Sequence, residues 1–236
     1  LLLTKTTFAT SDGYLAAQLD EILGVTTYTT YVNTNFYDKL AAGTYVRDSV
    51  TYNTQSYITY LRNHRSGRSA NLAAWDVGMG LVSAASCGVS GTELQSWIDG
   101  VKAEINELDD YDDTPETMWY LPTGLAGALY GLAYVDETMD PTAGYYASAS
   151  NMDELFDGLL ALQNGSGGFV WHPDYTLEND QNEGTQATAY AILALNDYDR
   201  AGFLTEILAA ADYMLGIQLA TGGWDNYPAV GTYDAS

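Results

Sequence analysis

The clearest indication of the fold is a repeated motif, first seen as Asp157-Gly-Leu-Leu-Ala-Leu-Gln163-Asn-Gly-Ser-Gly167-Gly168-Phe169. It recurs 55 residues later as Asp212-Tyr-Met-Leu-Gly-Ile-Gln218-Leu-Ala-Thr-Gly222-Gly223-Trp224. The aspartate, the glutamine, the glycine pair and the final aromatic residue agree between the two occurrences. Agreement at spaced positions with a fixed period indicates a repeat architecture. Each occurrence is typical of a helix end that is followed by a glycine stop and an aromatic anchor.

Two kinds of predicted helix alternate from residue 69 onward. Helices rich in Ala, Gly and Ser are predicted over 71–85, 122–134 and 185–195, and amphipathic helices over 92–108, 152–163 and 201–218. The small-residue helices are predicted to be buried and the amphipathic helices to face solvent on one side. A single hairpin cannot bury its apolar face alone, so stacked neighbours must cover it. We therefore expect an all-α fold, an α/α toroid or partial toroid over residues 69–236, whose last repeat is incomplete.

Residues 1–68 form a less regular N-terminal segment that we expect to pack on the repeats. Residues 12–23 have helical apolar spacing and are followed by Gly24. Residues 25–32 (Val-Thr-Thr-Tyr-Thr-Thr-Tyr-Val) are β-branched and aromatic, which predicts a strand by propensity. Further helices are predicted over 35–42, ended by Gly43, and over 54–62.

The spacing Gln-x-x-x-Gly-x-aromatic, at Gln163 and again at Gln218, resembles the QW repeat of squalene–hopene cyclases. The wider family is the terpenoid cyclase and protein prenyltransferase superfamily of α/α toroids. Residues 183–195 resemble the inner helix that follows the motif in those proteins, and the resemblance extends over roughly residues 69–227. It implies the toroid fold. It implies no single activity, because this fold carries cyclases, prenyltransferases, polysaccharide lyases and binding proteins.

The charge balance of the chain limits its partners. The sequence has 8 basic and 31 acidic residues, for a net charge of −23. Such a surface repels nucleic acid and anionic membranes, since it offers phosphates no counter-charge. The sequence also contains no apolar run near the ~20 residues that cross a bilayer, so we expect no membrane insertion. The acidic surface and scarce lysine favour an extracellular or cell-surface location and binding of divalent cations.

An acidic cluster precedes the second small-residue helix. The run Asp110-x-Asp112-Asp113-Thr114 resembles the Asp-x-Asp-Asp-Thr motif of class II cyclases, in which Asp112 would protonate the substrate. An acid catalyst needs a neutral carboxyl in an apolar cavity, whereas these residues lie in a charged loop. The alternatives are a structural helix cap or a Ca²⁺ site formed by Asp110, Asp112 and Asp113.

A long loop between the first motif and the third small-residue helix provides candidate ligand-binding residues. We expect them at one rim of the toroid: Arg68, Trp171, His172, Tyr175 and Glu183. Aromatic faces stack on sugar rings and carboxylates accept from sugar hydroxyls, so this set predicts glycan binding. Paired carboxylates would support glycoside hydrolysis, and Tyr or His with Arg would support uronate elimination. The alternative is a structural loop anchored by a buried Trp171.

Asp76 places a charge inside an otherwise apolar helix, and a buried aspartate usually needs a partner. The structural interpretation is that it pairs with a nearby arginine or caps a helix, and the functional interpretation is that it faces the central cavity as an acid. No catalytic residue is assigned; the candidates are Asp76, Asp112, His172 and Glu183.

Three functions follow in order of preference. The first is a binding or structural module that contacts glycans, cations or other copies of itself. The second is a polysaccharide hydrolase or lyase, and the third is terpenoid cyclisation. The content of the toroid's centre distinguishes them. Paired carboxylates there favour hydrolysis, and an apolar cavity with Asp112 favours cyclisation. A filled centre with apolar patches outside favours assembly.

Overall fold

The computed structural model describes residues 2–66, 69–109, 120–171 and 183–225. The described part is mostly helical, which confirms the all-α class. The helices are α1 (Asp12–Leu23), α2 (Thr27–Val32), α3 (Asp38–Ala41), α4 (Thr54–Asn63), α5 (Leu72–Ser86), α6 (Gly91–Ile105), α7 (Leu121–Tyr134), α8 (Met152–Leu160), α9 (Thr185–Asp199) and α10 (Leu204–Gly216). A 3₁₀ turn covers Leu2–Thr4 and a π-helix, Asn33–Tyr37, joins α2 to α3.

The small-residue helices lie side by side, as their composition predicts. Helix α7 packs against α5 on one side and α9 on the other, while α6 contacts α5 and α7, α8 contacts α7, and α10 contacts α9. Every residue of α7 from Leu121 to Leu132 is buried. The alternation of small-residue and amphipathic helices is therefore confirmed. Their closure into a toroid stays a prediction.

Glycines set the close approach of α5 and α7. A Cβ added to Gly78 would lie 2.2 Å from the carbonyl oxygen of Gly127, and one added to Gly124 would lie 2.2 Å from that of Asn71. Both distances are far inside van der Waals contact, so only glycine fits at these positions. Glycine at these positions therefore allows the two helix backbones to approach closely.

The predicted strand over residues 25–32 is wrong. Thr27–Val32 is helical and continues through the π-helix into α3. Asp20 of α1 supplies the physical reason. Its carboxylate accepts the backbone N–H groups of Tyr28 (3.0 Å) and Thr29 (2.8 Å), which caps α2 from another helix. Val32 and Phe36 are then buried in the core, so tertiary contacts override the β propensity of the segment.

The described strands form one hairpin that the sequence interpretation missed. Strand β1 (Tyr45–Arg47) pairs antiparallel with β2 (Val50–Tyr52), with Tyr45 opposite Tyr52. Asp48 and Ser49 connect them with φ values of 51° and 66°. Two successive left-handed residues make the two-residue turn whose twist matches that of the strands. Helices α4 and α6 pack on one another and on α5, and they join this N-terminal region to the repeats.

The repeated motif forms two matching glycine turns, the first at residues 163–169 and the second at residues 218–224. Gln163 Nε2 donates to the carbonyl of Gly167 (3.0 Å), and Gln218 Nε2 donates to that of Gly222 (2.9 Å). Both glycines have positive φ, 95° and 88°. The aromatic Phe169 is fully buried. In both turns the glutamine side chain therefore binds the carbonyl of the positive-φ glycine four residues later, which closes the turn.

Candidate functional site

Most of the predicted site residues lie outside the described part of the chain. These are Arg68, Asp110, Asp112, Asp113, His172 and Tyr175. The cyclase-like acid at Asp112 and the Ca²⁺ site therefore stay predictions. Within the described residues, no group of three His, Cys, Asp or Glu side chains is placed to hold a metal ion. Asp76, Trp171 and Glu183 lie within the described residues.

Glu183 joins the first glycine turn to the start of α9. Its side chain is 5% exposed and accepts hydrogen bonds from Asn164 Nδ2 (3.2 Å) and from the Ser166 hydroxyl. Its backbone pairs with Val170 in an isolated antiparallel bridge. Burial, followed by the nearby Glu183 carboxylate, raises the pKa of Tyr213. The hydrogen bonds and the backbone bridge of Glu183 stabilise the first glycine turn, so its described role is structural.

Trp171 lies next to Gly184, the residue that follows Glu183, and its position at a toroid rim stays a prediction. Its carbonyl accepts the backbone N–H of Tyr120 at 3.2 Å. A Cβ added to Gly184 would lie 3.1 Å from the Trp171 Cβ, so the two segments are in contact. Trp171 therefore lies where the starts of α7 and α9 meet. The residue is half-buried, and the loop over residues 172–182 lies outside the described residues, so the anchoring of that loop by a buried Trp171 stays a prediction.

Asp76 pairs with a nearby arginine, as its structural interpretation predicts. It is 6% exposed, and its Oδ2 accepts from Arg65 Nε at 2.8 Å. His64 Nε2 lies 3.6 Å from the same oxygen. The other ring nitrogen, Nδ1, lies 2.8 Å from the carbonyl of Leu61, which orients the imidazole. Asp76 thereby connects α5 to the end of α4.

A cavity of about 570 Å³ lies among α1, α5, α9 and α10. The sequence interpretation did not identify it. Its apolar and aromatic lining residues are Tyr14, Leu15, Met79, Ala189, Tyr190, Leu193, Met214 and Trp224, and its polar ones are Ser11, Thr185 and Gln186. None of these described lining residues is charged. They therefore do not form the carboxylate-lined centre that is expected for a hydrolase.

Aromatic contacts fix the rings around this cavity. Tyr190 meets Trp75 edge to face, with ring centroids 5.5 Å apart, and Tyr14 meets Tyr130 in the same manner at 6.2 Å. Burial raises the pKa of Tyr190, so its hydroxyl stays protonated across the physiological range. Trp224 Nε1 donates to the carbonyl of Met214 at 2.7 Å. The second glycine turn therefore positions a cavity residue as well as ending a helix.

Helix α9 carried a signal for this cavity. Gln186, Ala189, Tyr190 and Leu193 lie at i, i+3, i+4 and i+7, which is one face of a helix. All four are at least partly exposed, while Ala187, on another face, is buried. The sequence interpretation took α9 to be buried on all sides, so it did not identify the face that borders the cavity.

Comparisons with family models, with curated proteins and with solved structures give no match to this chain. The resemblance to the terpenoid cyclase and prenyltransferase superfamily thus rests only on the two motif occurrences and on residues 183–195. In the described ranges, no helix has both the length and the apolar composition that crossing a membrane requires.

Proposed function

We propose that this chain is a binding module whose cavity between α1 and α9 takes an uncharged ligand with an apolar face. The cavity carries this proposal, because its volume of about 570 Å³ falls in the ~300–1,000 Å³ range of small-molecule sites. Such sites combine a mainly apolar lining with a few polar groups that orient the ligand. Here Thr185 and Gln186, at the start of α9, and Ser11, before α1, supply the polar groups.

The scaffold in this proposal is a partial α/α toroid, with α5, α7 and α9 as consecutive inner helices. Their side-by-side packing and the two matching glycine turns support it. The net charge of −23 supports an extracellular or cell-surface setting, where salt screens self-repulsion. In this proposal, the concave side of the partial toroid lies at the cavity.

A binding role accounts for the described acids better than a hydrolytic role. Asp76 is held by Arg65, and Glu183 is held by Asn164 and Ser166. A hydrolase of the usual kind needs two carboxyl groups on either side of one bond. The two described candidates instead lie in separate hydrogen-bonded clusters, one at α4 and one at the first glycine turn.

One observation favours an uncharged glycan as a second candidate ligand. Three aromatic rings, from Tyr14, Tyr190 and Trp224, border the cavity together with the amide of Gln186. Aromatic faces pack on the C–H faces of sugars, and an amide both donates to and accepts from hydroxyls. An uncharged oligosaccharide is therefore one of the competitors in the dye-binding experiment.

Titration with Nile red, an uncharged apolar dye, tests the proposal. We expect saturable fluorescence enhancement and a change in Trp emission as the dye enters beside Trp224. Leu193→Asp places a charge in the cavity wall and is expected to weaken dye binding by about tenfold or more. Ile22→Asp is the matched control, since Ile22 is 79% exposed on α1 and does not line the cavity.

The outcomes separate the two ligand classes. Displacement of the dye by an uncharged oligosaccharide such as cellohexaose would select the glycan. Displacement by a medium-chain alcohol alone would select an apolar ligand. The proposal fails if the dye does not bind, or if Leu193→Asp and Ile22→Asp bind it equally well.

A further inference from the structure

A second cavity, of about 230 Å³, lies among the segment before α1, strand β1 and helices α4 and α5, and its lining is mainly cationic. Arg47, His64 and Arg65 border it, and Asp76 is the one acid among its described lining residues. This lining is unusual on a chain with a net charge of −23. Five of the 8 basic residues of the sequence fall within 39–68, namely Lys39, Arg47, Arg62, Arg65 and Arg68.

Asp76 neutralises only part of this positive charge. Its Oδ2 accepts from Arg65 Nε at 2.8 Å and lies 3.6 Å from His64 Nε2. Within the described residues, Arg47 pairs with Asp48 alone, whose side chain is 83% exposed and whose Oδ2 lies 3.5 Å from Arg47 Nε. Such an exposed pair contributes little, because water and salt screen it. The cavity therefore keeps an excess of positive charge at Arg47.

Arg47 also has a hydrogen-bond donor without an acceptor. Its Nη1 donates to the Tyr57 hydroxyl at 3.1 Å, whereas its Nε is buried and makes no hydrogen bond with the described residues. A buried donor without an acceptor costs free energy, so a bound molecule that accepts from it is stabilised. A carboxylate suits this donor, because its two oxygens match the planar guanidinium.

The charge of the lining also favours a carboxylate. With His64 counted as neutral, Arg47 and Arg65 against Asp76 leave one positive charge. A carboxylate balances this charge, whereas a doubly charged phosphate exceeds it. The excess negative charge of a phosphate would face a chain that is already strongly acidic.

Aromatic rings form much of the remaining lining. Arg47 Cζ lies 5.3 Å from the centroid of the Tyr60 ring, and Tyr60 stacks on His64 with centroids 5.2 Å apart. Tyr57 and Trp75 also border the cavity. Aromatic faces pack well against another flat ring, so the lining fits a carboxylate that is carried by a planar apolar body. The volume lies below the ~300–1,000 Å³ of drug-sized sites, so the ligand is small.

We propose that this cavity binds a small aromatic carboxylate, with the carboxylate on Arg47 Nε and the ring against the aromatic lining. This site differs from the apolar cavity of about 570 Å³, which has no charged residue in its described lining. The two cavities are neighbours, since Ser11 borders both, and Trp75 of one meets Tyr190 of the other. Binding of the carboxylate does not require a ligand in the apolar cavity.

Fluorine NMR titration of the full chain with para-fluorobenzoate tests the proposal. We expect saturable binding of this probe. Two analogues separate the contributions of charge and ring. The alcohol para-fluorobenzyl alcohol keeps the ring without the charge, and fluoroacetate keeps the charge without the ring. Each should bind more weakly by about tenfold or more, because each loses one of the two matched contacts.

Two variants with opposite expected effects test the contact with Arg47. Arg47→Gln removes the guanidinium and should weaken para-fluorobenzoate binding by about tenfold or more. Asp48→Asn should instead tighten it about two- to fivefold, because the change removes an exposed carboxylate beside Nε. Asparagine tolerates the left-handed backbone of residue 48, so this variant keeps the hairpin turn. Arg200→Gln is the matched control, since Arg200 is exposed at the end of α9 and does not line the cavity.

Leu193→Asp locates the probe, because Leu193 lines the apolar cavity and not the cationic one. It should leave para-fluorobenzoate binding unchanged while it weakens binding of Nile red. Loss of para-fluorobenzoate binding in Leu193→Asp with retention in Arg47→Gln would place the probe in the apolar cavity and overturn the proposal.

Four other results would also overturn it. They are no saturable binding by wild type, equally tight binding of either analogue, equal losses in Arg47→Gln and Arg200→Gln, and unchanged or weaker binding in Asp48→Asn. The last of these keeps the test decisive even if Arg47→Gln fails to fold. A failure of Nile red to bind concerns the apolar cavity alone, so the two proposed sites can fail separately.

Discussion

Glu104 and Arg62 join α6 to α4, and replacing Glu104 by glutamine tests how burial controls the stability of this junction. Glu104 is 4% exposed, and Arg62 Nε donates to its Oε1 at 2.6 Å. Burial raises the pKa of Glu104 to about 7, and the hydrogen bond and charge of Arg62 offset this only in part. Arg62 also bonds the exposed Glu107. The folded state therefore holds a proton on Glu104 more tightly than the unfolded chain does.

The sign of the effect follows from this raised pKa. Below pH 4.5 the carboxyl is protonated in both states, and its contribution to stability is fully present. Between pH 4.5 and 7 the unfolded chain releases the proton first, so stability falls as pH rises. The difference between 4.5 and about 7 corresponds to about 3 kcal/mol at 1.36 kcal/mol per pKa unit. About 2.5 kcal/mol of this loss falls between pH 5 and pH 8.

Urea unfolding of wild type and Glu104→Gln, followed by Trp fluorescence across this pH range in 1 M salt, measures the loss. Glutamine keeps the shape but does not titrate, so wild type should lose about 2.5 kcal/mol relative to the variant as pH rises from 5 to 8. Glu107→Gln is the control, since it removes an exposed carboxylate from the same arginine. If the stability of wild type relative to the variant stays flat or rises with pH, Glu104 does not bind its proton more tightly in the folded state. An equal change in the control would show that the pH dependence does not come from Glu104.

Three further predictions concern packing and hydrogen bonds. Gly78→Ala should lower the free energy of unfolding in urea by about 1–3 kcal/mol, because its methyl group would meet a backbone carbonyl of α7. Gly216→Ala, whose methyl group meets no described atom within 4 Å, should change it by less than about 1 kcal/mol, and equal effects would contradict the close approach. Gln163→Ala should lower the thermal midpoint more than Gln218→Ala. Gln163 makes two hydrogen bonds of about 1 kcal/mol each, whereas Gln218 makes one with the described residues. The reverse order would contradict the role given to the first turn. Asp76→Asn should cost about 2 kcal/mol in urea unfolding, as expected for hydrogen bonds to a charged group, and a variant as stable as wild type would show that the contact with Arg65 contributes little.

Local patterns predicted the regular part of this fold. The small-residue and amphipathic helices appear where composition and spacing place them, with ends displaced by a few residues. The glycine turns also follow from sequence, because a glutamine and a positive-φ glycine interact within a few residues of one another. Such features depend on contacts close in the chain, which a sequence displays directly.

The remaining features depend on contacts between distant residues. Residues 27–32 became helical because Asp20 caps them from another helix, and no local propensity reports such a bond. The apolar sequence around Asp76 predicted either a structural partner or a cavity-facing acid. Only the tertiary structure shows that Asp76 accepts a hydrogen bond from Arg65.

Charge, helix periodicity and glycine stops are local properties, so the sequence was sufficient to predict an acidic all-α protein built from helical hairpins. Tertiary structure alone decided where the uncharged cavity lies, because four helices and Trp224 must meet to form it. It alone also decided that Arg47, His64 and Arg65 border a second cavity. Arg47 ends β1 and the other two follow α4, and residue spacing does not specify how such separate elements pack.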